Sequence, residues 1–453
     1  MATSIPTPAP TSLIGARLDR IPFCRFHYRM LFLIASGLFI DSFATMVMPG
    51  VLAALVHMGI SNLSMNAHYV SVTFAGLTVG ALLAGLMGDR FGRKSAYQFN
   101  LLLFGVFSLL SAFMPNMWSL IFVRFFMAIG LGAEFAVGYG FITEFVPPLV
   151  RGRCVAVVYT ISSAGALASA LATIIVIPAL GWRWMFVISA IMALAVWMLR
   201  KNMPDSPRWL ESVGRLDEAD ALVRRIAKEA GIAEAEVPTP ARTEKIARPA
   251  DAGLMELFRS RLVGRTVLAI VISMIVMAGI YSFISWTPTF LIKQGYSIAS
   301  SLWFSTLMIT SSVAGPALAI WVSDTLGRKS SVTIAAVLAA VAAVIYPHLT
   351  SIWTITVCGF LLETALYLLL AFAVGIYVPE LFPTQYRLRG SGIAQSAGRF
   401  AVMLSPYLVV LLFGKFGVGG VVYLIAGLCL FLCIVILVFG IETKRRSLEE
   451  IAN

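Results

Sequence analysis

Long apolar runs, separated by short polar and charged segments, recur along the whole chain of 453 residues. Each run is long enough to cross about 30 Å of hydrocarbon as a helix. The apolar positions are continuous rather than alternating, which favours helices over the strands of a barrel, and only these two structures can span lipid. The pattern predicts an all-α membrane protein with twelve transmembrane helices in two six-helix bundles. The predicted spans are 29–57, 67–88, 95–114, 118–146, 152–178, 182–201, 263–292, 298–323, 330–349, 352–381, 388–414 and 418–440.

The spans divide the chain into two bundles, a central linker and two tails. The first twelve residues are polar and proline-rich and lack the basic n-region of a signal peptide. In the linker, an amphipathic pattern from Leu216 to Ile226 predicts a helix, and residues 254–262 resemble an interfacial helix. The predicted parts are an N-terminal tail 1–28, a bundle 29–201, a linker 202–262, a bundle 263–440 and a C-terminal tail 441–453.

Charge is sparse and unevenly distributed. Only 12% of residues are charged, against about 25% in soluble domains. Of the 34 lysine and arginine residues, three lie at loops after odd-numbered spans (Arg183, Lys293 and Lys415) and two lie within spans (Arg124 and Arg399). The remaining 29 lie at the termini and the loops after even-numbered spans. The positive-inside rule then predicts cytoplasmic termini in the cell (inner or plasma) membrane. Orientation, rather than a nucleic-acid partner, explains the net charge of +12.

The two halves repeat each other. The loop "GDRFGRKS" (88–95) returns as "SDTLGRKS" (323–330), and an E-x6-R spacing occurs once in each half. Duplicated six-helix halves are typical of transporters that rock one half against the other. A carboxylate at such a loop can pair with a basic group on a neighbouring span and hold a gate shut; alternatively, these residues only anchor spans in the headgroup layer. The predicted gate residues are Asp89, Arg93, Glu144, Arg151, Asp324, Arg328, Glu380 and Arg387.

Several motifs resemble those of the major facilitator superfamily. "GLMGDRFGRK" (85–94) fits its loop signature, whose twin has Ile320 in place of the leading glycine. Segments 124–152, "PDSPRWL" (204–210) and 379–390 are similar to the sugar-porter and metabolite–proton-symporter branches. Span 7 lacks the Gln-Gln pair of sugar porters, whereas "GRFAVMLSP" in span 11 resembles organic-anion and aromatic-acid carriers, including nicotinate-type transporters. The resemblance covers nearly the whole chain and implies transport by alternating access.

Ionisable groups inside predicted spans are costly and usually mark a pathway. Asp41 follows the apolar stretch "MLFLIASGLFI" in span 1, and Arg124 lies near the outer part of span 4. Proton symporters of the resembled family pair an acid and an arginine at matching positions, which makes Asp41 the proton carrier and Arg124 its partner. A static ion pair that fixes helix packing is the alternative. Glu134, on a small-residue face of span 4, either lines the cavity or bonds within its span.

Arg399 is an isolated cation in span 11, one turn after Gln395 and beside small residues. Its planar fork of donors matches a carboxylate; alternatively, Glu363 neutralises it as a structural partner. A cationic fork and aromatic rings suit a flat aromatic carboxylate such as nicotinate or benzoate, although aromatic stripes also face lipid. The predicted substrate-binding residues are Arg399, Gln395, Tyr281, Phe283, Trp286, Glu363, Tyr367, Tyr159 and Ser163.

These observations predict proton-coupled symport of a small organic carboxylate. The alternatives are an organic cation or zwitterion carrier using Asp41, Glu134 and Glu363, a sugar-porter-like facilitator and a transporter-like sensor. Sugars need many amide partners, and the spans offer few, with Gln98 and Asn100 on the usually peripheral span 3. The sequence has no P-loop and no histidine ligand spacing. We therefore expect no enzyme activity, cofactor or metal, and a monomer whose partners are the organic anion, protons and the lipid bilayer.

Overall fold

The computed structural model describes residues 13–232, 257–259, 262–382 and 387–442, and regular structure in these ranges is helical. Nine helices within the described ranges are long and apolar enough to cross a membrane. The N-terminal half contains α1 (Leu13–Arg20), α2 (Arg25–His57), α3 (Leu63–Phe91), α4 (Arg93–Ala112), α5 (Met117–Phe145), α6 (Pro148–Leu180), α7 (Arg183–Leu199), α8 (Pro207–Ser212) and α9 (Leu216–Glu229). The C-terminal half contains α10 (Val263–Ile284), α11 (Thr287–Lys293), α12 (Ile298–Ile309), α13 (Ser311–Leu326), α14 (Arg328–Ile345), α15 (Ile352–Leu369), α16 (Val378–Glu380) and α17 (Arg387–Phe439).

These helices make the twelve predicted spans. Helices α2 to α7 are spans 1 to 6, each continuous. In the C-terminal half, spans 7, 8 and 10 are interrupted: α10 and α11 meet at a break before Pro288, α12 and α13 meet at Thr310, and a π-helical segment, Leu370–Tyr377, joins α15 to α16. Helix α17 contains spans 11 and 12, separated by a kink at Gly417. The prediction of an all-α, twelve-span fold is confirmed.

Single glycines make the tightest connections between spans, at equivalent places in the two halves. Gly92 separates span 2 from span 3, and Gly327 separates span 8 from span 9. Their φ angles are 92° and 89°, in a region that side chains disfavour. Each glycine therefore ends one helix and starts the next without a longer loop. The basic residues that follow it, Arg93 and Arg328, are the first residues of the next span.

Helices α1, α8 and α9 form a layer on one membrane face of the N-terminal half, which we call the basic face. Ile14, Leu18 and Ile21 are buried in one apolar cluster with residues of α8 and α9. Arg17 Nη1 donates to Asp220 Oδ1 at 2.6 Å. Burial raises the pKa of Asp220, but the hydrogen bonds from Arg17 and Arg224 outweigh it, so the pKa lies below its ordinary value.

This layer changes the predicted boundaries. Residues 13–20 belong to a helix, and span 1 begins at Arg25, so the tail drawn at 1–28 is too long. The reason is the buried face of α1, whose short apolar pattern we did not recognise. The amphipathic linker helix is confirmed as α9, which buries Ala219, Val223 and Ile226 but exposes Leu216. Most of the predicted interfacial helix at 254–262, and the tails 1–12 and 443–453, lie outside the described residues.

Each half has its own apolar core, into which a few residues of the other half pack, and the halves join toward the face opposite the basic face. Helix α11 packs on α2, α12 on α6, and α3 on α17. Ser71 Oγ donates to the Met403 carbonyl at 2.6 Å, and the rings of His68 and Tyr407 meet at 5.4 Å. These contacts close the interface between the halves on that side of the molecule.

Candidate functional site

Asp41 and Arg399 belong to different halves, and their charges interact across the interface between the halves. Arg399 on span 11 is partly buried, and the carboxylate that acts on it is Asp41 on span 1. Glu134 acts most strongly on Asp41 among neighbouring charges, followed by Arg399 and then Arg124. Both Arg399 and Asp41 also act on the hydroxyl of Tyr281 in span 7. The structure thus brings the predicted proton carrier and the predicted substrate cation into one central cluster.

Three tyrosines extend this cluster across the interface. Tyr281 interacts with Tyr159 of span 5, and Tyr367 of span 10 interacts with both. The ring of Tyr281 packs edge-on against Phe74 of span 2, with centroids 4.7 Å apart. Tyrosines from both halves therefore share an electrostatic neighbourhood with Asp41 and Arg399, and their role in substrate binding stays a prediction.

Two other predicted aromatic residues lie elsewhere. Phe283 is fully buried and meets Tyr346 edge-on at 5.3 Å, within the C-terminal bundle. Trp286 stacks on Phe290, which in turn stacks on Phe413 of span 11. Residues two positions apart point about 200° apart on a helix, so Tyr281 and Phe283 cannot both face the centre. In this structure the Phe283 ring packs span 7 on span 9 and the Trp286 ring packs it, through Phe290, on span 11, and a substrate-binding role for these two residues stays a prediction.

Gln395 of span 11 and Ser163 of span 5 are partly buried, and their predicted substrate-binding role stays a prediction. The neighbouring Ser162 connects spans 5 and 1: its Oγ lies 2.6 Å from Ser42 Oγ and donates to the Leu38 carbonyl at 3.2 Å. This contact ties span 5 to span 1 at the residue that follows Asp41.

Arg124 is completely buried and bonds mainly to uncharged groups. Its Nε donates to Thr73 Oγ1 at 3.1 Å, its Nη2 donates to the Ala44 carbonyl at 3.4 Å, and it lies 5.4 Å from the ring of Tyr69. It does act on Asp41, but less than Arg399 does. The predicted pair of Asp41 and Arg124 is therefore a secondary interaction.

Glu134 forms a buried ion pair that the sequence analysis missed. Arg200, at the end of span 6, donates through Nη1 to Glu134 Oε1 at 2.6 Å, and both side chains are almost fully buried. The guanidinium also donates to the carbonyls of Leu33 and Ile34 and lies 4.5 Å from the Tyr97 ring. We had counted Arg200 among the basic residues of the following loop, because nothing local distinguishes it from them.

Glu363 does not hold Arg399. Its Oε2 accepts a hydrogen bond from Ser311 Oγ at 2.9 Å. It also lines a cavity of about 40 Å³ between the halves, together with Thr173, Thr287 and Thr306. The alternative in which Glu363 neutralises Arg399 finds no support, since Asp41 is the carboxylate that acts on this arginine.

The described gate residues form matching contacts at the basic face. Asp205, after span 6, accepts a hydrogen bond from Lys94 N at 2.9 Å and so caps span 3. Glu442, after span 12, accepts from Arg328 N at 2.9 Å and Lys329 N at 3.2 Å and caps span 9.

Arg328 Nε also pairs with Glu380 Oε2 at 3.4 Å. Arg93 occupies the position equivalent to Arg328, at the start of span 3. The two caps tie the start of span 3 and the start of span 9 to the end of the last span in each half, whereas the Arg328–Glu380 pair ties span 9 to the end of span 10. The other predicted gate side chains lie outside the described residues; they are Asp89, Glu144, Arg151, Asp324 and Arg387.

A twelve-span fold of two similar halves, with charged and aromatic side chains meeting between them, defines a transporter of the major facilitator superfamily. The family model described as "Sugar (and other) transporter" matches residues 32–453, and the chain belongs to this family. Members of the family and the structural neighbours are transporters rather than enzymes.

Two relatives and two solved structures illustrate the similarity. The inner membrane metabolite transport protein YdjE of Escherichia coli (strain K12) is 34% identical over 97% of this chain and 98% of its own. The niacin transporter NiaP of Acinetobacter baylyi is 29% identical over 96% of this chain and 99% of its own.

The crystal structure of the D-xylose-proton symporter gives a TM-score of 0.72 at 20% identity, covering 93% of this chain and 99% of that chain. A partially occluded inward open conformation of the xylose transporter XylE from E. coli gives 0.73 at 20% identity, with the same coverage. These two structures support the fold.

Proposed function

We propose that this transporter carries a small aromatic carboxylate together with a proton into the cell by alternating access. The observation that carries the proposal is the electrostatic interaction between Asp41 and Arg399 across the two halves, which the Tyr281 hydroxyl shares. The relative named as a niacin transporter supports an aromatic carboxylate as substrate. The basic face is then the cytoplasmic face, and the protein works as a monomer in the cell membrane.

Charge balance explains why a proton accompanies the carboxylate. In the empty site, Asp41 and Arg399 offset each other's charge. A substrate carboxylate that accepts the planar fork of Arg399 leaves Asp41 without this counter-charge, and an uncompensated buried charge is costly. A proton on Asp41 restores neutrality, so we infer one proton per carboxylate and a transport cycle that moves no net charge.

Arg399→Ala tests the carboxylate site. Truncating one partner of a buried charge pair costs about 2–5 kcal/mol, so we expect binding of nicotinate or benzoate to weaken at least about tenfold. Arg399→Lys should recover only part of the loss, because an ammonium keeps the charge but loses the planar fork.

The matched ligands are the corresponding amides. Calorimetry should show that an amide binds the unmodified protein weakly and loses little more affinity when Arg399 is removed. Equal losses for acid and amide would show that Arg399 maintains the structure and does not bind the carboxylate.

A second candidate is carriage of an organic cation or zwitterion. The observation in its favour is Glu363, a buried carboxylate that lines the cavity between the halves. Competition of labelled nicotinate by nicotinamide, benzylamine and an amino acid separates the candidates: inhibition by the amine, lost in Glu363→Gln, favours the cation carrier.

A further inference from the structure

A second, smaller cavity lies inside the N-terminal half, between spans 1, 3 and 4. Its volume is about 10 Å³, and Asp41 and Glu134 both line it, together with Asn100 of span 3. The cavity therefore connects the central cluster with the ion pair of Glu134 and Arg200. The sequence predicts a peripheral position for Asn100, but its side chain is buried and lines the same cavity as these two acids.

Three polar atoms at this cavity lack a hydrogen-bond partner among the residues that the structure describes. They are Asp41 Oδ1, Asn100 Nδ2 and Glu134 Oε2, each on a side chain that is more than nine-tenths buried. Buried polar atoms in folded proteins are normally paired, with protein or with ordered water. Two acceptors and one donor around a single space are the partners that one water molecule needs.

Glycines create this space. A Cβ atom on Gly37 would collide with Arg200 Nη2 and Glu134 Oε1, and one on Gly130 would come within 2.7 Å of the Asn100 carbonyl. Both glycines line the cavity. A cavity of roughly 10–15 Å³ holds one water when two to four polar partners surround it, and this one meets both conditions.

We propose that the cavity binds one water molecule, held by Asn100, which relays the proton between Asp41 and Glu134. The relay rests on the proposed function, in which Asp41 carries the proton. In the transfer, the Asp41 carboxyl gives its proton to the water oxygen, and the water gives one of its own protons to Glu134 Oε2. Asp41 returns to the carboxylate form, Glu134 becomes the acid, and the water is unchanged.

The two acids of the relay differ in their charged neighbours. Asp41 faces Glu134, Arg399 and Arg124, whereas Glu134 faces Asp41 and Arg200. Glu134 uses Oε1 for Arg200 and turns Oε2 to the cavity, so the ion pair need not break to accept a proton. Lys201, the next residue after Arg200, is exposed at the basic face, which places the acceptor close to the aqueous boundary.

Asn100→Leu is the central test, because leucine has nearly the shape of asparagine but cannot hold the water. Gln98→Leu is the matched control: it makes the same change two residues away on span 3, outside the cavity. In proteoliposomes, we expect Asn100→Leu to slow nicotinate uptake driven by a pH gradient by about 100-fold, the typical contribution of a positioned proton-transfer group. Exchange of internal for external nicotinate, which needs no net proton release, should be unchanged in both variants.

The water itself is tested by radiolytic hydroxyl-radical footprinting, which needs no substrate. Phe104 lines the cavity, and Phe186 is equally buried away from it. We expect faster oxidation of Phe104 than of Phe186, and equal rates in Asn100→Leu. Equal rates in the unmodified protein overturn the proposal.

Glu134→Gln should reproduce the transport defect, with thermal unfolding in detergent showing that it folds. If Asp41→Asn loses pH-driven uptake while Asn100→Leu retains it, the relay is wrong and the proposed function stands. If Asp41→Asn retains it, the proton site of the proposed function itself fails.

Discussion

The interiors of the two halves differ in how they treat charge. The N-terminal half buries an ion pair of Glu134 and Arg200, a second arginine bonded to a hydroxyl and a carbonyl, and Asp41 beside them. The C-terminal half buries Glu363 against an uncharged partner, the Ser311 hydroxyl, and brings Arg399 to the centre. Two halves that arose by duplication have thus divided the work: on the proposed function, one handles the proton and the other binds the anion.

The largest expected effect comes from neutralising one buried acid in each half. Asp41→Asn should abolish accumulation driven by a pH gradient, whereas Glu363→Gln should retain it. One pH unit is worth about 1.4 kcal/mol, which supports about tenfold accumulation by one-proton symport. The measurement is the ratio of internal to external labelled nicotinate in proteoliposomes, with valinomycin to clamp the membrane potential. Loss of accumulation in Glu363→Gln but not in Asp41→Asn would reverse the division between the halves.

A smaller effect comes from adding one methyl group in each half. Gly37→Ala forces a Cβ into the ion pair, whereas a Cβ on Gly392, in span 11, meets open space. Overpacking typically costs about 1–3 kcal/mol, so Gly37→Ala should lower the thermal unfolding temperature in detergent and Gly392→Ala should not. Equal unfolding temperatures for both variants would mean that Glu134 and Arg200 can move to accommodate the added methyl group. The buried ion pair would then not be rigid.

The smallest effect is expected where the halves are alike. Asp205→Asn and Glu442→Gln each weaken the cap of one span, and losing a helix cap costs about 0.5–2 kcal/mol. We expect both changes to slow transport by similar factors and to leave binding affinity unchanged, because the caps lie at the basic face. Flux in proteoliposomes and equilibrium binding in detergent provide the comparison. A large loss of affinity with normal flux in either variant would show that these two caps act on the binding site and not on the rate of the transport cycle.

The sequence predicts most of the fold, since apolar runs report span number directly, and it identifies Asp41 and Arg399 because isolated charges stand out in apolar helices. Which buried charged side chains pair with each other is harder to predict from the sequence. Arg200 follows span 6 among other basic residues, and its bond to Glu134 depends on the missing side chain of Gly37. The sequence also does not determine which side of span 7 faces the centre. Tyr281 and Phe283 were therefore both predicted to bind substrate, although residues two positions apart on a helix point in nearly opposite directions.

The caps also determine where the protein can be cut. Asp205 and Glu442 each lie beyond the last span of their half, yet each holds the start of the third span in that half. A half-protein designed to end at the membrane boundary would lose the acid that fixes one of its own internal helices. A fragment that contains only the N-terminal bundle must therefore extend past Asp205. It must also include α9, because α1 packs against α8 and α9. A version of the protein shortened at its C-terminus must keep Glu442, and a tag that replaces the tail must begin after this residue.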